Sequence, residues 1–164
     1  MYQVFPMSKL QFISGFILSR AIILFVFCLL FSYAANKALN TGVSYTAGEF
    51  LEFSALLMAG IIAFLSAGLL LVSIVKNGST AVAIINIVNL PILFLSDLFM
   101  PVAMMPEMVQ AVAEKSPVYL FVNSLRNVPI AQSNELTIIT LISLLAVGTL
   151  CLLISVKTFN WRNA

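Results

Sequence analysis

The sequence contains no histidine, and charged side chains make up only 9% of its 164 residues. Without histidine the chain lacks the commonest general base and the commonest metal ligand. Its two cysteines, Cys28 and Cys151, each lie inside an apolar run. A free thiol there behaves as a small hydrophobe, so both read as packing residues rather than as a disulfide or a metal site. There is no Gly-x-x-x-x-Gly-Lys-Ser/Thr loop, no His-Glu-x-x-His motif, no aspartate pair within the apolar runs and no Ser-His arrangement. Phosphate-loop nucleotide binding and the common hydrolytic chemistries therefore have no residues to work with. The formal net charge is only +2 and the eight Lys and Arg residues are scattered, so no basic patch exists to hold nucleic acid.

What is abundant is apolar surface: 62% of residues are hydrophobic and the mean hydropathy is +1.10. Soluble domains run near 45–50% apolar, with roughly 25% charged residues, so a water-facing globule could not hide this surface. The chain reads as an all-α integral membrane protein forming a single membrane domain over residues 1–164. The start does not read as a secretory signal: Lys9 and Arg20 come late, the apolar stretch is too long and no small-residue cleavage site follows. Four runs reach the roughly 20 residues that a hydrocarbon core requires, at about 12–35, 53–75, 81–100 and 136–156.

The breaks carry turn chemistry. Lys76-Asn-Gly-Ser-Thr80 predicts a tight polar turn that makes the second and third spans antiparallel neighbours. Between the third and fourth spans, Pro106-Glu107 and Ser116-Pro117 predict two helix starts, with Ser116 as an N-cap. Two short helices follow, at about 107–115 and 118–127, each too short to cross; they lie at the surface or dip in and return. Ser133-Asn134 then caps the last span. If the chain starts inside, the cytoplasmic side holds Lys9, Arg20, Lys76, Lys157 and Arg162, against Lys37, Lys115 and Arg126 outside. The positive-inside rule then places both termini in the cytoplasm.

Few polar side chains interrupt the spans. Ala55, Ala59, Ala63 and Ala67, with Gly60 and Gly68 beside them, form a small-residue stripe of the sort that lets helices approach closely in lipid. Asn86 and Asn89 share one helix face and lie roughly 9–14 Å along the helix from Thr80. They either hydrogen-bond a neighbouring helix or line a transport path. Asp97 lies about 26 Å from Thr80, near the far boundary of a core of about 30 Å. It has either a solvated or capping role, or a functional one.

From Asn89 the chain reads Asn-Leu-Pro-Ile-Leu-Phe-Leu-Ser-Asp-Leu-Phe-Met-Pro-Val-Ala-Met-Met-Pro-Glu, continuing through Ser116-Pro-Val-Tyr119 to Leu125-Arg126. This resembles the membrane subunit of type-2 ABC transporters, the ABC-2 permease family, with its Pro-x-x-Phe-Leu-Ser-Gly-x-Phe-x-Pro stretch. The matching positions are Pro91, Phe94, Leu95, Ser96, Phe99, Pro101, Pro106, Pro117, Tyr119 and Arg126, and Lys157-x-Phe-x-Trp161 is similar to the family's ending. Two local departures stand out: Tyr119 comes one residue early after Pro117, and Asp97 occupies a position where the family often has glycine. Family members usually have six spans, and the four here resemble the third to sixth.

The resemblance implies a permease component of an ATP-driven exporter that moves a drug, lipid or saccharide across the cell membrane, such as a bacterial inner membrane. It implies a second permease subunit as partner, and a separate ABC ATPase subunit that binds the ATP, the permease being non-catalytic and without a cofactor of its own. Phe5, Pro6, Met7, Ser8 and Lys9 are similar to the end of the cytoplasmic loop that couples to the ATPase. Asn86, Asn89 and Asp97 would face the path or the permease interface. The alternative reading is a truncated or small membrane protein with a structural or regulatory role and no transport of its own.

Overall fold

A computed structural model describes residues 9–40, 42, 45–75, 78–130 and 134–158. Helix α1 is Lys9–Leu39, α2 is Ala47–Ile74 and α3 is Gly78–Leu95. A 3-10 turn at Val102–Met104 leads to α4 (Glu107–Ala113) and α5 (Pro117–Asn127), and α6 is Asn134–Thr158. No strand occurs among the described residues, as expected where hydrocarbon leaves each backbone to satisfy its own hydrogen bonds. Ile13–Leu39, Ala47–Ile74 and Glu135–Thr158 are long and apolar enough to cross a membrane, and Ser79–Leu95 is a shorter apolar helix. The fold is that of an all-α membrane protein, with the two short helices between α3 and α6.

Local chemistry explains where the helices begin and end. Apolar content places the second span at 53, but α2 begins six residues earlier because Thr46 and Glu49 form a capping box. The Thr46 backbone N–H donates to Glu49 Oε2 at 2.8 Å, and the Glu49 N–H donates to Thr46 Oγ1 at 3.4 Å; each satisfies a donor that the helix start would otherwise leave open. α3 stops at Leu95 although the apolar run continues to 100, since 96–100 form turns and bends. Pro101 disfavours the helical region for the residue before it, and Asp97 adopts a left-handed φ of 62°. Gly78, Ser79 and Thr80 are already helical, so the turn read at 76–80 is shorter; Lys76 and Asn77 lie outside the described residues. Ser116 stands at the N-cap of α5 without a capping hydrogen bond from its side chain. The cap read at Ser133 lies outside the described residues.

α2 and α6 form the centre of the fold. They run parallel, since Gly148 meets Ala63 and, ten residues further along both helices, the Ser73 and Thr158 hydroxyls lie 2.9 Å apart. Ala59, Ala63 and Leu144 form the buried core, flanked by Phe121 and Leu141. Small side chains matter here because lipid tails are as apolar as leucine, so helices associate through close packing rather than hydrophobic exclusion. A Cβ at Gly148 would sit 3.2 Å from Ala63 Cα. The small-residue stripe is used only in its middle, however: Ala59, Gly60 and Ala63 are buried, whereas Ala55 is exposed and Gly68 faces open space.

The short helices return toward this centre. Phe121 of α5 lies against Gly60 and makes an edge-on contact with Phe64, ring centroids 5.4 Å apart. Gly60 is about 20 Å along α2 from Ala47, so α5 dips in beside the long helices rather than resting on their ends. A buried hydroxyl pair, Ser124 and Thr140 at 2.7 Å, ties α5 to α6. Truncating one partner leaves the other unsatisfied, so Thr140→Val is expected to cost about 1 kcal/mol. The double variant Ser124→Ala/Thr140→Val should recover most of that loss in a thermal-unfolding double-mutant cycle, and additive losses would show that the pair does not interact.

By contrast, α1 and α3 are largely uncovered. α1 buries Ile13, Ile17 and Ala21 at four-residue spacing, then exposes Phe27 (64%) and Phe31 (66%). On α3, Ile87 is 70% and Leu90 58% exposed. These are faces for lipid or for another protein.

Candidate functional site

The residues that carry the ABC-2 resemblance gather into one joint, where α3 ends and the short helices begin. Pro91 lies inside α3, where its missing N–H leaves the Ile87 carbonyl without its usual donor. Phe94 and Phe99 bracket the end of the helix with ring centroids 6.1 Å apart. Leu95 is the last helical residue, and Ser96 is fully buried with its hydroxyl donating to the Leu93 carbonyl at 2.7 Å. Pro101 and Pro106 stand at the N-caps of the 3-10 turn and of α4, and Pro117 opens α5. In each place a fixed φ near −65° starts a helix where no intrahelical N–H bond is needed. Tyr119 is half-buried in the first turn of α5.

Asp97 holds this joint together. Its backbone is left-handed, a conformation that glycine adopts freely and that aspartate tolerates better than most residues. That accounts physically for an aspartate standing where the resembling family often has glycine. The carboxylate is then put to use: the Val102 N–H donates to Oδ1 at 2.7 Å, and Arg126 Nη1 donates to Oδ2 at 2.6 Å. Arg126 Nη2 also donates to the Asp97 carbonyl at 3.2 Å. The end of α3 is thereby fastened to the end of α5. Gln110 completes the joint, its Nε2 donating to the carbonyls of Met105 and Ala103 at 2.7 and 3.1 Å. Sequence reading proposed both Asp97 and Arg126 but did not pair them, because 29 residues separate them and no periodicity spans that distance. Gln110, Thr140 and the contact of Phe121 with Gly60 escape the sequence, which shows Gly60 only as part of the small-residue stripe. Gln110 had a signal, as the one amide in a short helix that is apolar after Glu107.

The Val102 N–H, opposed by partial burial and helped by the Arg126 guanidinium, holds the Asp97 carboxyl below its ordinary value of 3.8. A folded-state pKa below the unfolded one contributes stability that is fully present above pH 3.8 and is lost as pH falls through the lowered value. The Asp97 carboxyl carbon, followed by NMR, should therefore titrate with a midpoint below 3.8, and Arg126→Gln should move that midpoint upward. A midpoint at the ordinary value would mean that the clasp is absent in solution. Arg126 is half exposed, so the ion pair itself adds little stability and its value is geometric.

Asn86 and Asn89 are placed differently. Both are exposed on α3, about 12 and 16 Å along the helix from Gly78, on the side where Ile87 and Leu90 are also uncovered. The structure thus joins Asp97 to Arg126 but leaves the two asparagines apart from that joint. Of the residues assigned to coupling, Phe5, Pro6, Met7 and Ser8 lie outside the described residues, and Lys9 is the first residue of α1. Cys28 and Cys151 are free and partly buried. Among the described residues no group of three or more His, Cys, Asp or Glu side chains could hold a metal ion.

The model of the ABC-2 type transporter family matches residues 2–129. No curated protein and no solved structure matches the chain significantly. The match takes in α1, α2 and α3 and runs through the whole joint from Pro91 to Arg126, well over half of the 164 residues. With its long apolar helices, the chain belongs to the ABC-2 type transporter family as a multi-pass membrane permease component.

Proposed function

We propose that the chain forms part of the membrane path of an ATP-driven exporter. It would work beside a second permease unit and take its energy from a separate ABC ATPase. The observation that carries this reading is the uncovered face of α3 in a chain of this family: two exposed amides, Asn86 and Asn89, stand partway along an otherwise apolar helix. An amide facing hydrocarbon is costly, and one facing a partner helix or a wet path is not. The basic residues favour both termini in the cytoplasm of a cell membrane such as the bacterial inner membrane, which would set residues 5–9 on the ATPase side. The joint around Asp97 and Arg126 would then lie on the outer side, where movement of α3 carries α5 with it. The substrate class is that of the family, a drug, lipid or saccharide.

The direct test is co-purification of the full chain with an ABC ATPase from its native membrane, followed by ATP hydrolysis in proteoliposomes. Hydrolysis that rises with an exported compound is expected. Purification of the chain without any ATPase would overturn the transporter reading in favour of a structural or regulatory role. Within an active complex, Asn86→Leu/Asn89→Leu should reduce transport at least about tenfold, the loss of roughly 1.4 kcal/mol of path or interface interaction. Unchanged transport would remove the two asparagines from the path.

A further inference from the structure

Where α1 ends and α2 begins, the structure holds two adjoining cavities of about 350 and 450 Å³ that share Tyr33 and Asn36. The larger falls within the usual range of small-molecule sites, about 300–1,000 Å³. Its lower wall is apolar, built by Leu29 and Leu30 of α1 with Phe50 and Phe53 of α2. The smaller cavity is shallow and open, lined by Tyr33, Asn36, Lys37, Asn40 and Gly42, and it brings the lysine and two amides to this end of the groove. The contributing positions on α1 recur at helical spacing from Leu29 to Asn40, so they form one stripe about 16 Å long. It runs from hydrocarbon side chains at one end to a single cation at the other.

Three observations identify what this stripe fits. Lys37 lies in the last turn of α1 and has no carboxylate within 4.0 Å, the Asp97–Arg126 pair being the only salt bridge among the described residues. The acids near the start of α2, Glu49 and Glu52, do not line either cavity, and the Glu49 carboxylate is occupied by the Thr46 N–H. Two tyrosines mark the transition between the apolar and polar parts: Tyr33 is 69% exposed, and Tyr45 packs on Phe53 with ring centroids 5.5 Å apart. Tyrosines concentrate at the level of lipid headgroups, and α1 at this level exposes Leu30 and Phe31, so the groove is open from the side of the bilayer.

We propose that this groove is a binding site for an anionic phospholipid, with the first segment of an acyl chain against Leu30 and Phe53 and the phosphate at Lys37. A free phosphate would find only one exposed cation and no use for the apolar wall. A zwitterionic lipid would gain the wall but no net charge attraction. The site lies on α1 and α2, away from Asn86 and Asn89, and is independent of the path proposed above.

The test is native mass spectrometry of the full chain released from neutral-detergent micelles, offered phosphatidylglycerol or phosphatidylcholine with the same acyl chains. Phosphatidylglycerol should be retained about fivefold better, the effect of one lysine at an anionic headgroup. Lys37→Gln should abolish that preference while Lys157→Gln, at the opposite end of the bundle, leaves it intact. Leu30→Trp, which fills the groove at an already exposed position, should lower retention of both lipids. Equal retention of the two lipids by the unmodified chain, or a preference that survives Lys37→Gln, would overturn the proposal. Displacement of the lipid by an equal concentration of inorganic phosphate would also overturn it, by showing a free-anion site instead.

Discussion

Replacing Asp97 with valine is expected to weaken the joint between α3 and α5 by about 2–4 kcal/mol, because it combines two losses. The Val102 N–H, in a residue only 3% exposed, would lose the carboxylate that accepts it at 2.7 Å. A β-branched residue would also be forced into a φ of 62°, which L side chains adopt only under strain. Other substitutions separate these contributions. Asp97→Gly relieves the strain and loses only the acceptor, so it should cost less than valine. Asp97→Asn tolerates the left-handed backbone and keeps an acceptor oxygen, and should be the mildest. Hydrogen exchange at the Val102 amide reads the effect directly, with acceleration of about one to three decades expected for valine. If glycine and valine accelerated exchange equally, the backbone conformation would contribute nothing, and the position would be explained by its charge alone.

A large side chain at Gly60 should have a comparable effect by a different route. An added Cβ there would clash with Phe121 Cε2 and fall within 3 Å of two further ring atoms, so the ring must shift. Overpacking of this sort costs about 1–3 kcal/mol, and here it would push α5 away from α2. Gly60→Leu is therefore expected to lower the thermal unfolding midpoint of the detergent-solubilised protein, and Phe121→Ala in the same chain should restore part of the loss by making room. Gly68 supplies the control, because nothing lies within 4 Å of a Cβ added there although it belongs to the same small-residue stripe. Equal effects of leucine at 60 and 68 would mean that Phe121 does not dock on α2.

These two sites show how far reading along the chain could go. A stripe of alanine and glycine announces that a helix can be approached closely, and its four-residue spacing is visible without any structure. Which part of the stripe is used depends on the partner. Ala59 and Ala63 meet α6 through Leu144 and Gly148, Gly60 meets Phe121, and Ala55 is left exposed. Hydropathy likewise located the apolar runs, whereas the helix ends are set by hydrogen bonds and backbone conformation: Thr46 and Glu49 start α2 well before its apolar run, and the turn at Asp97 follows the end of α3 while its apolar run continues.

What the sequence by itself determined is the class of molecule and the family. Apolar runs of about 20 residues admit only helices across hydrocarbon, and the spacing of prolines, phenylalanines and Arg126 after Asn89 carries the ABC-2 resemblance that the family match bears out. What only the tertiary structure decided is which of those residues act together. The Asp97–Arg126 clasp, the Ser124–Thr140 pair and the tapered groove between α1 and α2 each join side chains that no local period relates. Asp97 illustrates the reason. Its identity could be read from the chain, but its role follows from a left-handed backbone that aims one carboxylate at both the Val102 N–H and Arg126, and that geometry exists only once α3 has ended and α5 has folded back beside it.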